Sequence, residues 1–562
     1  PYDPAVIVEH PAPFGPRWKG HWIWFEPPPI AMETMTRPVR APGGDRIGLF
    51  RRTIDLTAVP ATAPMRIWTD GRHLVRVNGE LVARGPVRAN PRRARYDVVD
   101  LAPHLRPGTN VITIVARHFA QATSWWMPVP PTYTLGAGGL VAEALIGDEW
   151  VVSDDSWRCR PGEAWTPVAA PGDVAALPME SFDAAAHPHG WDEPDFDDGD
   201  WGPALMLATV HVGSSGDPHP PSEPYGMLLP PVRPDAGAAP GLHHEAALTG
   251  RRTFPGAPLG DDPVRQVLAD EAGGDGGADG DGVEVLSFDL GHIAAGTVLL
   301  TVRDAAPGTI IDLAAAEHLD GEGRLAPLGQ HAGLRYRCRG GALEKFESLD
   351  VIGTRYLHAA VRPPDGTAGP EVEVAVQERL RPRPDGVRFE CSDPLLDEIF
   401  AVGLRTVDLC ALDAYVDCPT REQRAWTGDA VVHQQVDLAT NPDWSMARWH
   451  PQLTAVSRAD GMVPMAVTSD FEADDRSMIP DWSLHWVRSV RNLWEYDGDR
   501  ELVAELLPVV ERTLRWFEPY RRPDGLLDSV TGWVLLDWAS VYENGCSSTL
   551  NALWARALED CA

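Results

Sequence analysis

The sequence predicts a multidomain protein, with β-sandwich domains first and an all-α domain last. Three observations carry that expectation. At 562 residues the chain is too long for one hydrophobic core. Up to about residue 380, apolar residues alternate or form short β-branched runs between turn dipeptides. After Phe389 they recur at helical spacing. The expected units are a β-sandwich region at 1–212, a Pro/Gly/Asp-rich linker or loop at 213–282, a second β-sandwich at 283–385 and a helical domain at 386–562.

Within the first unit, residues from about 46 to 210 read as all-β. Asp70-Gly71 and Asn78-Gly79 are turn pairs, and Leu74-Val75-Arg76-Val77 and Glu80-Leu81-Val82 flank the second as a hairpin. Asn110 to Val115 is a β-branched strand. The segment from Trp191 to Trp201, with Asp195, Phe196, Asp197 and Asp198 inside it, resembles the closing segment of galactose-binding-like β-sandwiches. Trp18, Trp22, Trp24, Trp125 and Trp126 offer stacking faces for sugar, although core packing is the commoner fate of a tryptophan.

Glu271 to Gly282 is nearly all Gly, Ala and Asp and reads as a solvated linker. Asp275, Asp279 and Asp281 lack a complete calcium-loop pattern, so no metal is expected there. Alternation returns at Val298 to Val302 and Val372 to Val376.

Cys391-Ser392-Asp393-Pro394 reads as a helix start, with Ser392 as cap and Pro394 in the first turn. Leu395, Ile399 and Phe400 follow on one face. Further helices are expected near 428–438, 442–457, 481–496, 500–518 and 546–561. Asp460-Gly461, Asp497-Gly498 and Asp524-Gly525 punctuate them. Trp444, Trp449, Trp486, Trp494, Trp516 and Trp554 fall on these helices, mostly at core spacing.

A net charge of −32 argues against nucleic acid and anionic membrane surfaces as partners. No apolar run is long enough to span a bilayer. Seven cysteines, an odd number without metal-ligand spacing, indicate neither a full disulfide framework nor a zinc site. The chain starts at Pro1 with no charged-then-apolar leader, so a cytoplasmic location is favoured, with secretion left open.

The chemistry concentrates in Asp417-Cys418-Pro419-Thr420-Arg421-Glu422-Gln423-Arg424-Ala425-Trp426-Thr427-Gly428-Asp429-Ala430. Pro419 places Asp417 on a loop, and Thr427 or Asp429 would cap the helix carrying Val431, Val432 and Val436. Carboxylates this dense beside an aromatic plate suit the hydrolysis of a sugar bond. Around a pocket, one of them is held protonated by its like-charged neighbours while the others stay ionised. Arg421 and Arg424 push the other way, so the sequence leaves open which carboxylate carries the proton. The bland alternative is a loop of mutually paired charges. Cys418, with no histidine partner evident, reads as filler and not as a nucleophile.

This segment resembles the signature of the bacterial α-L-rhamnosidases of glycoside hydrolase family 78. Ile479-Pro480-Asp481-Trp482, Leu536-Asp537-Trp538 and Asn551-Ala552-Leu553 resemble later landmarks of the same catalytic domain. Phe288-Asp289-Leu290-Gly291, Ala314 to Asp320 and Gly353-Thr354-Arg355-Tyr356 resemble the β-sandwich that precedes it. The resemblance implies an (α/α)6 toroid of six helical hairpins that hydrolyses terminal non-reducing α-L-rhamnose from glycosides or polysaccharides, with inversion. It implies Glu422 as general acid, and Asp417, Arg421 and Asp429 as residues holding the sugar hydroxyls. Trp426, Trp482 and Trp538 would shape the pocket around the ring and its methyl group, which an apolar wall accepts without stranding a polar group. No cofactor is required, since carboxylates can make both proton transfers. The β domains would be accessory carbohydrate-binding or packing modules.

The family's general base lies far downstream, and neither Asp537 nor Glu543 matches it. The chain is therefore expected to be a fragment, with the toroid truncated to about half, the base beyond its C-terminus and no activity of its own. Three places depart from the family pattern: Ala425 stands where glycine is common, Leu334-Arg335-Tyr336-Arg337 replaces a more polar strand, and Ser348-Leu349-Asp350-Val351 replaces a proline-aromatic lead. The alternatives are another (α/α)6 glycosidase and a non-catalytic carbohydrate-binding protein with a relic helical part. Intact Asp417, Glu422 and Asp429 argue against the relic. Oligomeric state is not legible in the sequence.

Overall fold

The computed structural model describes residues 10–27, 30–34, 37–40, 46–89, 94–119, 138–168, 179–207, 219–221, 228–231, 241–273, 282–381, 383–384, 387–455, 460–466, 478–542 and 544–562. A sheet-rich N-terminal region precedes a helical region. Trp125, Trp126, Asp275, Asp279, Asp281 and Glu543 lie outside the described residues.

Among the described residues, the first unit has two six-stranded sheets sharing one core, beside the short pair Ile30–Thr34 and Arg37–Arg40. One carries Pro64–Thr69 and Leu140–Ile146 at its centre, the other Arg46–Leu56 and Gly108–His118. The expected hairpin is present: Arg72–Val77 and Glu80–Gly85 pair antiparallel, with Val77 opposite Glu80. Trp18, Trp22 and Trp24 are buried in the core, so they offer no face to sugar. Trp191 and Trp201 stack at 5.8 Å and pack against Leu349 of the second unit, making the closing segment a wedge between units.

The second unit is built on nine strands joined in one hydrogen-bonded sheet, beside the short pair His318–Leu319 and Leu325–Ala326. Its long strands, Val283–Ala305 and Gly341–Arg362, shift register between Asp289 and Ala294 and between Thr297 and Leu299. Such irregularities let a strand bend without losing its ladder. Strand pairing crosses the expected unit limits in two places. Trp165–Pro167 and Glu180–Asp183 leave the first unit and join this sheet, the latter parallel to Ala332–Arg337. His243–Glu245 and Ala247–Phe254 are strands of the same sheet, inside the stretch expected to be linker. That stretch also holds helix α1 (Pro263–Ala272), capped by Asp262 on Arg265 N–H and packed through Val264 and Val267 on the sheet. Local composition reports polarity, whereas strand pairing is fixed by distant partners.

Ser348 to Val351, the stretch that departs from the family pattern, is where the two β units dock. Asp350 accepts from Arg117 Nη1 at 2.5 Å and pairs with Arg72 Nε at 2.7 Å, while Arg84 donates to the Leu349 carbonyl. Glu180 accepts from Leu349 N–H at 2.7 Å and from the Trp165 indole at 3.0 Å. Burial pushes the Glu180 carboxyl up to about 7.

In the helical region the described helices are α2 (Pro394–Leu409), α3 (Asp429–Thr440), α4 (Ser445–Thr454), α5 (Pro480–Tyr496), α6 (Arg500–Trp516) and α7 (Ser548–Cys561). Their places match the periodicity, but two caps do not. Asp393, not Ser392, caps α2 by accepting from Leu395 N–H. Gly428 precedes α3, because the Thr427 hydroxyl donates to the Pro464 carbonyl at 2.6 Å and Asp429 falls inside the first turn. Trp449, Trp486 and Trp554 are core, while Trp494 is exposed. Buried Asp437 of α3 binds Arg381 at 2.7 Å, Arg383 at 2.9 Å and the Tyr415 hydroxyl at 2.5 Å, fixing the chain where it leaves the sheet.

Candidate active site

The motif lies on the loop between Val416 and α3, and that loop closes on itself. Asp417 N–H donates to the Arg424 carbonyl at 3.0 Å, and Arg424 N–H donates back to Asp417 Oδ1 at 3.0 Å. The Cys418 thiol donates to Asp417 Oδ2 at 3.2 Å. Closing the loop brings the Asp417 and Glu422 carboxylates within mutual influence. Burial first, and the Glu422 charge second, push the Asp417 carboxyl up to about 6. Both Glu422 oxygens have donors: the Trp426 indole reaches Oε2 at 2.9 Å and Arg421 reaches Oε1 at 2.8 Å. Glu422 is 9% exposed.

Beside the carboxylates stands an aromatic wall. Trp426 meets Trp482 edge-on, with centroids 5.3 Å apart, over Ile479 and Leu535. Trp482 comes from the first turn of α5, and Gly428 allows its approach, because a Cβ there would collide with the indole. Trp538 is not part of this wall. It is 77% exposed and its described ring contact is with Trp533 at 5.7 Å. Its turn, Leu536–Trp538, is nevertheless tied to α5: Asp481 accepts from Leu535 N–H at 3.1 Å and Leu536 N–H at 3.0 Å. Asp429 is half-buried in the first turn of α3, on the side of Cys410. Burial, then the charges of Cys418, Asp417 and Asp429, push the Cys410 thiol up to about 12.

Behind the loop, the Tyr415 ring stacks on His433 at 5.6 Å and packs on His450 at 5.5 Å. Burial holds His433 at about 4 and His450 at about 3, so both are neutral at ordinary pH. Among the described residues, no group of His, Cys, Asp and Glu is arranged to hold a metal ion.

The loop is also held by residues that sequence reasoning missed. From the second unit, Glu317 accepts from the Thr420 hydroxyl, Val351 O accepts from the Gln423 side chain at 3.1 Å, and Gly353 abuts the Pro419 carbonyl. From the first unit, Arg88 donates to the Gln423 carbonyl at 2.8 Å. Gly353 stood within a recognisable motif, whereas nothing local marks Arg88.

Residues 384–558 match the family model of the bacterial alpha-L-rhamnosidase 6 hairpin glycosidase domain, and residues 60–221 match that of the alpha-L-rhamnosidase N-terminal domain. An alpha-L-rhamnosidase of Streptomyces avermitilis is 29% identical over 250 residues, which is 44% of this chain and 18% of that protein. The GH78 family rhamnosidase of Bacillus sp. GL1 superposes with a TM-score of 0.77 at 20% identity, over 97% of this chain and 74% of that one. The Streptomyces avermitilis alpha-L-rhamnosidase complexed with L-rhamnose gives a TM-score of 0.65 at 19% identity, over 92% of this chain and 46% of that one. At these identities the superpositions show a shared fold. The match to the curated relative spans less than a fifth of its length.

Proposed function

Since the chain belongs to the bacterial α-L-rhamnosidase family, we propose that it carries the acid half of a glycosidase site acting on terminal α-L-rhamnose of glycosides or polysaccharides. The observation that carries this reading is the Asp417–Glu422 carboxylate pair, the first half-buried and the second buried, beside the Trp426–Trp482 wall. One carboxylic acid must protonate the departing oxygen, and the pair is placed to keep one proton between two like charges.

In the leading assignment Glu422 is the general acid, oriented by Trp426 and Arg421. Asp417, Arg421 and Asp429 hold sugar hydroxyls, and Trp426 and Trp482 receive the methyl group and the C–H face of the ring. Trp538, exposed on a turn anchored to α5, closes the wall when sugar is bound. The reading makes the reaction inverting, with water activated on the opposite face by a carboxylate roughly 6.5–9.5 Å from the acid. It takes α2–α7 as the first half of a six-hairpin toroid and assigns the base to a carboxylate outside these 562 residues. A second assignment has its own support: burial and the neighbouring Glu422 charge push the Asp417 carboxyl up to about 6, toward the range a general acid needs.

The test is hydrolysis of p-nitrophenyl α-L-rhamnoside and of an alkyl α-L-rhamnoside by the whole gene product, comparing wild type, Glu422→Gln and Asp417→Asn. The leading assignment expects Glu422→Gln to lose far more on the alkyl substrate, whose leaving group needs a proton. That bias in Asp417→Asn alone would move the acid role to Asp417. A wild type inactive on both substrates, yet binding rhamnose, would leave a carbohydrate-binding protein.

A further inference from the structure

We propose that Arg88, contributed by the first β unit, is a positioning residue for the acid of the helical region. The inference rests on Glu422 being that acid. After the strand Glu80–Gly85, the chain runs away from its own sheet, and Ala89 is buried among Ala411, Ala414, Tyr415, Ala425, Met446 and Trp449. Arg88 is carried with it and is 1% exposed.

Its donors are divided between two points. The backbone N–H reaches Asp413 Oδ2 at 2.8 Å, Nε reaches Asp413 Oδ1 at 2.8 Å and Nη2 stands 2.8 Å from the same oxygen. The remaining Nη1 donates to the Gln423 carbonyl at 2.8 Å. Burial pushes the Asp413 carboxyl up, but the Arg88 charge and hydrogen bonds hold it below its ordinary value. Asp413 is thus a fixed anionic post, and the planar guanidinium extends from it to the motif loop.

The point it reaches is sensitive. Gln423 has φ +51°, a left-handed conformation that disfavours a side-chain-bearing residue. It persists because the surroundings hold it: Arg88 grips its carbonyl, and its side chain donates to Pro419 O at 2.7 Å and to Val351 O at 3.1 Å. The peptide on one side carries Glu422. On the other side Arg424 N–H donates to Asp417 Oδ1. A Gln423 peptide free to relax therefore re-aims both carboxylates. An ion pair with Asp413 alone would stabilise the fold without reaching the acid; the fourth donor makes that link.

The experiment compares Arg88→Lys and Gln423→Gly in the whole gene product, with Glu422→Gln as reference. Lysine keeps the charge near Asp413, but its single nitrogen does not reproduce the guanidinium's divided geometry. Glycine keeps the Arg88–Asp413 pair and sits at φ +51° without strain, but it loses the side-chain hydrogen bonds to Pro419 and Val351, so it loosens the same peptide by a second route if the Arg88 variant fails to fold. The expected result is a kcat loss of about tenfold or more on an alkyl α-L-rhamnoside and a much smaller loss on the p-nitrophenyl substrate. Equal losses on both substrates, or none, while Glu422→Gln shows the bias, would overturn the role of Arg88 alone. Absence of the bias in Glu422→Gln would overturn the acid assignment and the inference with it.

Discussion

Gly353 of the second β unit lies so close to Pro419 of the motif loop that a Cβ on the glycine would collide with the proline carbonyl. The obstacle is backbone, which cannot swing aside as a side chain does. Gly353→Ala is therefore expected to push the loop outward. Overpacking of this kind costs about 1–3 kcal/mol, read as a lower melting temperature. Turnover of an unactivated rhamnoside should fall further than the loss of folded protein explains. Unchanged turnover in the alanine variant would show that the loop position is not set there.

Asp417 gives stability a signed pH dependence. Its carboxyl titrates at about 6 in the folded protein against an ordinary 3.8. Between those values the folded state binds the proton and the unfolded state does not. The contribution is fully present below the lower value and is lost as pH rises through about 6, to a total on the order of 3 kcal/mol. His433 and His450, held neutral by burial, act in the opposite sense and weaken the fold as pH falls below about 6.5. Subtracting the melting curve of Asp417→Asn from that of wild type at each pH should isolate the Asp417 slope. A flat difference between pH 4 and 7 would contradict it.

Asp350 holds two guanidinium groups, from Arg72 and Arg117, at the junction of the β units. Removing the anion takes a carboxylate away from both cations in a buried place. Asp350→Ala is expected to cost about 3–5 kcal/mol and to make the first unit more sensitive to protease. Denaturant unfolding would measure the first effect and limited proteolysis the second.

Trp538 tests the aromatic wall without endangering the fold. Its side chain is mostly solvent-facing, so Trp538→Ala should change stability by less than about 0.5 kcal/mol. If the indole closes over bound sugar, KM for rhamnosides should rise while the melting temperature stays put. An unchanged KM would remove Trp538 from the site.

Much of this arrangement was legible in the sequence because it is local. The Asn78-Gly79 hairpin, the positions of α2–α7 and the carboxylate density of residues 417–429 all follow from short-range patterns. The illegible parts depend on distant partners. Glu180–Asp183 joins a strand more than 150 residues away, and the strands at 243–254 are too polar and exposed to show an alternation. Ser392 and Asp393 are both good caps, and only the backbone decided between them. Trp482 was visible as an aromatic at a helix start, but not its edge-on contact with Trp426. Trp538 looked identical in sequence and is exposed.

Arg88 and Asp413 are 325 positions apart in the chain and grip each other around a shared core. For exchange between related genes this is a constraint on where a crossover can fall. A recombinant that takes its front from one parent and its motif loop from another inherits half of the clasp from each, and works only if both parents built it the same way. The strands and the helices are therefore one unit of inheritance, although the shift from alternation to helical spacing looks like a natural place to cut.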